Sequence, residues 1–316
     1  MRVLPFHASD SVMQFAAGQA EGEDDMLTKL YPMVQFKKDT WEIDEFDVAS
    51  MFLLVGEEKA MLIDCGTGIG DLRGAVEQIT DKPLITVITH GHGDHVGNVR
   101  QFGEIWINPK DGGQAMPGDT RCRKEAAFRI AVRQHGGIGS GMYEAFNLYG
   151  YDPDTDIVES TEPMPVIHDL YDGQVFDLGG RIVTAYECPG HTAGQMMFLD
   201  TFSRSLFVGD ALNFNLDIRA VPVEKTVTYL EHMQAMRGKY DGIYNGHHDF
   251  RAQGAPLGED CLPNAIDLCH EILEGAYNLV TVPSFRGPAS GRSTQSMVLK
   301  ERNFLSFNPD RIYTEI

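Results

Sequence analysis

Three imidazoles and a carboxylate fall within residues 90–95, in the segment Thr89-His90-Gly91-His92-Gly93-Asp94-His95-Val96-Gly97-Asn98. Imidazole nitrogens combined with a carboxylate oxygen form a ligand set for borderline divalent metals such as zinc. Gly91 and Gly93 carry no Cβ, so the backbone can bend tightly and turn alternate side chains toward two different points. The plain alternative is a polar loop in which the histidines are accidental. One loop rarely completes two metal sites, so further donors are expected elsewhere in the chain. Pro189-Gly190-His191-Thr192-Ala193-Gly194 offers His191, Val208-Gly209-Asp210 offers Asp210, and Asn245-Gly246-His247-His248 offers His247. Singly these are weak signals, because a lone histidine is usually structural and a Gly-Asp pair usually marks a turn. Their order behind the first cluster gives them weight.

Two stretches of similar layout must position these residues. The first has β-rich runs at 51–55 and 60–63 leading into Asp64-Cys65-Gly66, a helix near 71–80, and a buried strand at 84–89 that ends in His90. A helix is also expected after the histidine cluster, with Asp94 able to cap it. The second stretch has short strands near 174–178, 181–187, 195–199 and 205–208, a helix near 225–237, and a strand at 242–244 that ends in Asn245-Gly246-His247. Polar residues just past strand ends in both halves point to one shared cleft. Residues 109–163 form a long segment between the halves, read as a lid-like insertion in a single domain spanning 1–316. A helix near 262–277 and strands near 297–299 and 304–307 complete the chain.

In this order the residues resemble the signature of the metallo-β-lactamase superfamily, HxHxDH followed by a distant His, an Asp and a final His. The match runs from about Phe52 to His247 and includes the strand-end Asp64. The resemblance implies an α/β chain folded as a four-layered αββα sandwich with two mixed sheets packed face to face. It also implies two divalent metal ions, with zinc as the default and manganese or iron also suited. His90, His92 and His191 would hold the first ion; Asp94, His95 and His247 would hold the second; Asp210 would bridge them. Asp94 and Asp210 are thereby the candidate catalytic carboxylates. Asp64 would orient the ligand loop by hydrogen bonds, and His248 would lie behind the ligands or donate a proton to the leaving group. The implied activity is hydrolysis, with a bridging hydroxide attacking a small-molecule ester, lactone or thioester.

Departures from the pattern narrow the branch. Common dinuclear β-lactamases have Cys where this chain has Asp210, which disfavours antibiotics as substrates. The final Asn245-Gly246-His247-His248-Asp249-Phe250 does not match glyoxalase II well. Flavodiiron proteins replace the second histidine, retained here as His92, with Glu. Persulfide dioxygenases share the fold but use a single iron, whereas the second ligand set is complete here. The alternatives kept are a phosphodiester hydrolase and a mononuclear-iron persulfide dioxygenase.

Charge supports a small-molecule substrate. Against 26 Lys+Arg stand 46 Asp+Glu, a formal charge of −20 over 316 residues, so neither nucleic acid nor an anionic membrane is an expected partner. No apolar run approaches the ~18 residues of a membrane span, and no signal peptide is evident. Five cysteines without a CxxC pair fit a reducing cytoplasm, and self-association is left open. Cys188 is expected to be a small buried residue and not a nucleophile. Arg129, on a basic stretch at 121–133, offers a site for a substrate carboxylate or phosphate, against the plain reading of a solvated face paired with Glu125. Tyr143 and Tyr149 offer an acyl pocket, against the plain reading of packing.

Overall fold

The computed structural model describes residues 31–45, 48–113, 162–247, 251–283 and 294–314. Strands β1 (Met33–Lys37), β2 (Thr40–Asp44), β3 (Ser50–Val55), β4 (Ala60–Ile63), β5 (Leu84–Val87), β6 (Glu104–Ile107) and β7 (Val166–Asp169) join in chain order into a seven-stranded sheet. Next come β8 (Val175–Asp177), β9 (Ile182–Glu187), β10 (Met196–Asp200), β11 (Ser205–Gly209), β12 (Asn215–Asp217) and β13 (Gly242–Asn245). The last strands are β14 (Val280–Pro283), β15 (Thr294–Lys300) and β16 (Asn303–Ser306). A second sheet has the order β13-β11-β10-β9-β8, and a smaller third has β12-β16-β15-β14. The helices are α1 (Leu72–Glu77), α2 (Pro109–Gly112), α3 (Val223–Ala235) and α4 (Cys261–Leu273).

Alternation along the strands builds the layers, because successive side chains point to opposite faces. On β3, Met51 and Leu53 pack outward with Leu72, Ala75 and Val76 of α1, whereas Phe52 and Leu54 pack inward. On β10, Met196 and Phe198 meet that inward face, while Met197 and Leu199 pack outward with Val227, Leu230 and Met233 of α3. Strands covered on both faces read as continuous apolar runs, which is why these were visible in the sequence. The result is helix, sheet, sheet, helix, the αββα sandwich expected. Among the described residues, no helix is long and apolar enough to cross a membrane.

The two expected halves share a parallel unit. β4 pairs parallel with β5 across α1, and β11 pairs parallel with β13 across α3. Asp64 follows β4, and Asp210 follows β11; His90 lies beyond β5, and His247 lies beyond β13. The candidate ligands therefore sit past the carboxyl ends of strands, where open α/β sheets place their ligands.

Three expectations need correction. The strand expected over 84–89 stops at Val87, because Thr89 turns its carbonyl out of the first sheet to accept from Met196 N at 2.8 Å. No helix begins at Asp94; turns lead to a single 3₁₀ turn at Val99–Gln101, and its cap position Asn98 makes no side-chain capping bond. Two sheets were expected, and the C-terminal strands add a smaller third one, in which β12 pairs with β16. Strands β1, β2, β6, β7, β12 and β14 were not foreseen.

Candidate metal centre

Backbone ties shape the ligand loop. Asp64 leaves β4 at φ +65°, a left-handed conformation that Asp tolerates better than most residues. Its Oδ1 accepts from Thr89 N at 2.7 Å, and its Oδ2 accepts from Thr89 Oγ1 and lies against His95 Nδ1, both at 2.8 Å. Cys65 N donates to His95 O (2.8 Å), and Gly97 N donates to Gly66 O (2.7 Å), so the loop is laced to the residues after β4. A Cβ at Gly97 would lie 1.9 Å from the Thr67 carbonyl carbon, so only glycine permits this approach. Behind it, the buried Glu45 carboxylate accepts from the amides of Thr67, Gly68 (3.0 Å) and Ile69 (2.7 Å).

Around this loop the donors converge in three overlapping groups: His90, His92 and His191; His90, His95 and Asp210; and Asp94, His95 and His247. Within each group the donor atoms lie within 4.8 Å of one another, a spacing that could hold a metal ion. His92 Nδ1 and His191 Nε2 are 2.9 Å apart. Asp210 lies centrally, with Oδ2 3.4 Å from His191 Nε2 and Oδ1 3.5 Å from His95 Nε2 and 3.3 Å from His247 Nε2. Asp94 stands at the more open side, 3.7 Å from His247 Nε2.

The hydrogen bonds behind the rings decide which nitrogens face inward. His95 Nδ1 meets Asp64, His90 Nδ1 meets Thr89 Oγ1 (3.1 Å), His191 Nδ1 meets Asp217 O (2.9 Å) and His247 Nδ1 meets Val48 O (2.5 Å). A backbone carbonyl can only accept, so His191 and His247 donate from Nδ1 and present an Nε2 lone pair to the centre. Among the described residues, three buried atoms pointing into it, His90 Nε2, His95 Nε2 and Asp210 Oδ1, have no hydrogen-bond partner. Orphaned buried polar atoms are costly, and three donors converging in this way fit a cation.

Electrostatics agree with that fit at His90, His92 and Asp210, and oppose it at His95. Burial pushes the His90 imidazole well below its ordinary value, and nearby His95 adds to the effect. His92 is lowered by burial and by His191. For Asp210, burial opposes ionisation, yet His247 and His95 hold the carboxyl well below the usual carboxylate range. Burial would also lower His95, but Asp64, Asp210 and Asp94 outweigh it and lift the imidazole to about 9. Asp210 thus stays charged and His90 and His92 stay neutral, as metal ligation requires, whereas His95, lifted by its three carboxylates, must give up its proton when an ion binds.

All seven residues expected as ligands are brought together, with Asp64 in contact behind them. His248, Arg129, Tyr143 and Tyr149 lie outside the described residues, as does most of the 109–163 segment. Cys188 is buried, and burial pushes its thiol up to about 12, which matches a packing role. His168 and His270 pair with Glu104 and Glu231 away from the cluster. Sequence reasoning missed Asp111, Glu45, Thr89 and the carbonyls of Asp217 and Val48. For Asp111, Asn108-Pro109 signalled a helix start but gave no hint of its partners.

Asp64→Asn is expected to weaken metal binding about 10–100-fold, the usual effect of losing a partner behind a ligand. Asn keeps the volume but sets an NH₂ against Thr89 or His95. Chelator competition against the wild-type protein measures it, and unchanged affinity would contradict the orienting role.

Comparison with known proteins adds ancestry to the geometry. A family model described as the metallo-beta-lactamase superfamily matches residues 44–253. The human acyl-coenzyme A thioesterase MBLAC2 is 25% identical over 244 residues, covering 71% of this chain and 82% of that protein. The Bacillus subtilis protein YobT is 27% identical over 183 residues, covering 54% of this chain and 66% of that protein. Among solved structures, the stereoselective inverting sec-alkylsulfatase Pisa1 from Pseudomonas sp. superposes with a TM-score of 0.53 at 14% identity, covering 79% of this chain. This chain spans only 43% of that sulfatase, and the likeness concerns the fold alone.

Proposed function

Because the chain belongs to the metallo-beta-lactamase superfamily, matched over residues 44–253, we propose that it is a dinuclear metal hydrolase that cleaves a small-molecule thioester. Lactones and ordinary esters are the nearest competing substrates. The observation that carries the reading is the convergence of five imidazoles and two carboxylates from both sheets, with three of their buried atoms lacking a hydrogen-bond partner among the described residues. The thioester preference is supported by the 25% identity to a human acyl-coenzyme A thioesterase over most of both chains.

In this reading His90, His92 and His191 hold one ion, and Asp94, His95 and His247 hold the other. Asp210 lies within 3.5 Å of donors from both groups and would be a ligand common to them. Divalent cations held there, zinc foremost, would supply a water acidified to near neutral pH and Lewis acidity toward the acyl oxygen. The chain's own residues aim the donors: Thr89, Asp64, Asp217 O and Val48 O hold His90, His95, His191 and His247 through Nδ1, so that Nε2 of these four faces the centre. Asp94, at the open side, is placed to take the proton of the attacking water. Water adds across the C–S bond, its oxygen ending on the acyl carbon and a proton on the departing sulfur. One domain, with residues 109–163 as an insertion, belongs to the same reading, since both sheets feed one centre. So does a cytoplasmic location, supported by the buried Cys65, Cys188 and Cys269, which form no disulfide among the described residues.

Elemental analysis joined to a hydrolysis screen of thioesters, lactones, phosphodiesters and β-lactams tests this. Two ions per chain and thioesters turned over fastest are expected. One tightly bound iron per chain, with oxygen consumed on a persulfide, would overturn it.

A further inference from the structure

We propose that Asp111 is a positioning residue that locks together the two loops carrying His90, His92 and His191, and thereby tunes one ion site independently of the other. The proposal rests on the metal reading above. Asp111 belongs to the one-turn helix α2 and is 1% exposed. Its Oδ2 accepts from Gly91 N at 3.2 Å, between His90 and His92 in the chain. The same oxygen accepts from Thr192 Oγ1 at 2.5 Å, and Oδ1 accepts from Gly194 N at 2.9 Å, both just past His191. One buried carboxylate thus grips both loops that supply the first ligand group. Hydrogen bonds to a carboxylate are shorter and stronger than neutral ones, which suits a fixed spacer.

The surroundings of Asp111 are built for this grip. Asn108 caps α2 by accepting from Lys110 N at 3.0 Å, and Asp111 N donates to Asn108 O at 2.9 Å. Asn108 Nδ2 and Lys110 Nζ both reach Glu187 Oε1 at 3.0 Å, which fastens α2 to the end of β9, the strand that leads to His191. At Gly194 a Cβ would lie 2.7 Å from the Asp111 carboxyl carbon, so the close approach requires glycine there. The span being set is the 2.9 Å between His92 Nδ1 and His191 Nε2. Metal–ligand distances tolerate only about ±0.2 Å, so a small loop shift matters. The second group is aimed by other partners, His95 by Asp64 and His247 by Val48 O.

Asp111→Asn keeps the side-chain volume but sets an NH₂ against at least one of the three donors. Zinc affinity of the full-length protein, measured by chelator competition that resolves both ions, gives the readout. One ion is expected to weaken about 10–100-fold, the same ion that is lost in His191→Ala, while the other is unchanged. Thr192→Val removes a single hydrogen bond at similar volume; it is expected to weaken the same ion by less, and it decides the matter if the Asn variant does not fold. Equal weakening of both ions would show mere packing, and no change in either would show no role; each overturns the proposal. A wild-type protein that binds no ion would instead overturn the metal reading itself.

Discussion

Asp210→Ala is expected to lower kcat/KM by about 10³-fold or more, about 4 kcal/mol of transition-state stabilisation, the scale seen when a preorganised electrostatic group is lost. Asp210 is the carboxylate placed among His95, His191 and His247 at once, within 3.5 Å of each, so its loss affects both ligand groups. The carboxylate is also one of those lifting His95 to about 9, and His247 and His95 in turn keep it ionised against burial. Alanine would leave a cluster of imidazoles with one bridging charge fewer, a poor host for two cations. Asp210→Asn separates charge from shape: it preserves the side-chain outline, and a fall nearly as deep as alanine's would assign the effect to charge. Steady-state hydrolysis with metal content measured on the same samples is the test. Retention of more than about a tenth of the activity by the alanine variant would place Asp210 outside the chemistry.

Stripping the protein with a chelator is expected to abolish hydrolysis and to lower its melting temperature, and re-addition of zinc to restore both. A ligand present at about 1,000 times its dissociation constant stabilises a folded protein by about 4 kcal/mol. At about 2–4 °C per kcal/mol, the apoprotein should melt roughly 10 °C lower. The physical source is visible in the centre itself, where His90 Nε2, His95 Nε2 and Asp210 Oδ1 are buried with no hydrogen-bond partner among the described residues. Calorimetry on stripped and reloaded protein reads the shift. Full activity in a demonstrably stripped sample would rule out metal-dependent hydrolysis.

Much of the scaffold was legible because its strands are apolar on both faces. Residues 51–55 and 60–63 were recognisable as strands for that reason, as was the helix of Val223, Val227, Leu230 and Met233, whose spacing follows the helical period. β2 was hidden because Thr40 and Glu42 are buried polar residues within it. Glu42 is accommodated by Arg251, which pairs with it at 2.8 Å from far along the chain. No local pattern announces such a partner. The helix expected after His95 failed for a related reason: Asp94 suited a cap by type, but the loop is instead laced to residues 65–66 by Cys65 N, Gly97 N and Asn98 N.

The sequence by itself determined the kinds of donor atoms, their order, and the glycines that let the backbone bend between them. Residue type and spacing are local properties, and together with the resemblance of their order to the superfamily signature they pointed to all seven converging side chains. Only the tertiary structure decided which nitrogen of each ring faces inward, that Asp210 lies between the two histidine groups, and that Asp111 ties the loop of His90 and His92 to the loop of His191. Those features are distances between atoms on separate loops, set by hydrogen bonds such as Asp64 to His95, Val48 O to His247 and Asp111 to Gly194. A linear pattern carries no information on such distances until both sheets have packed.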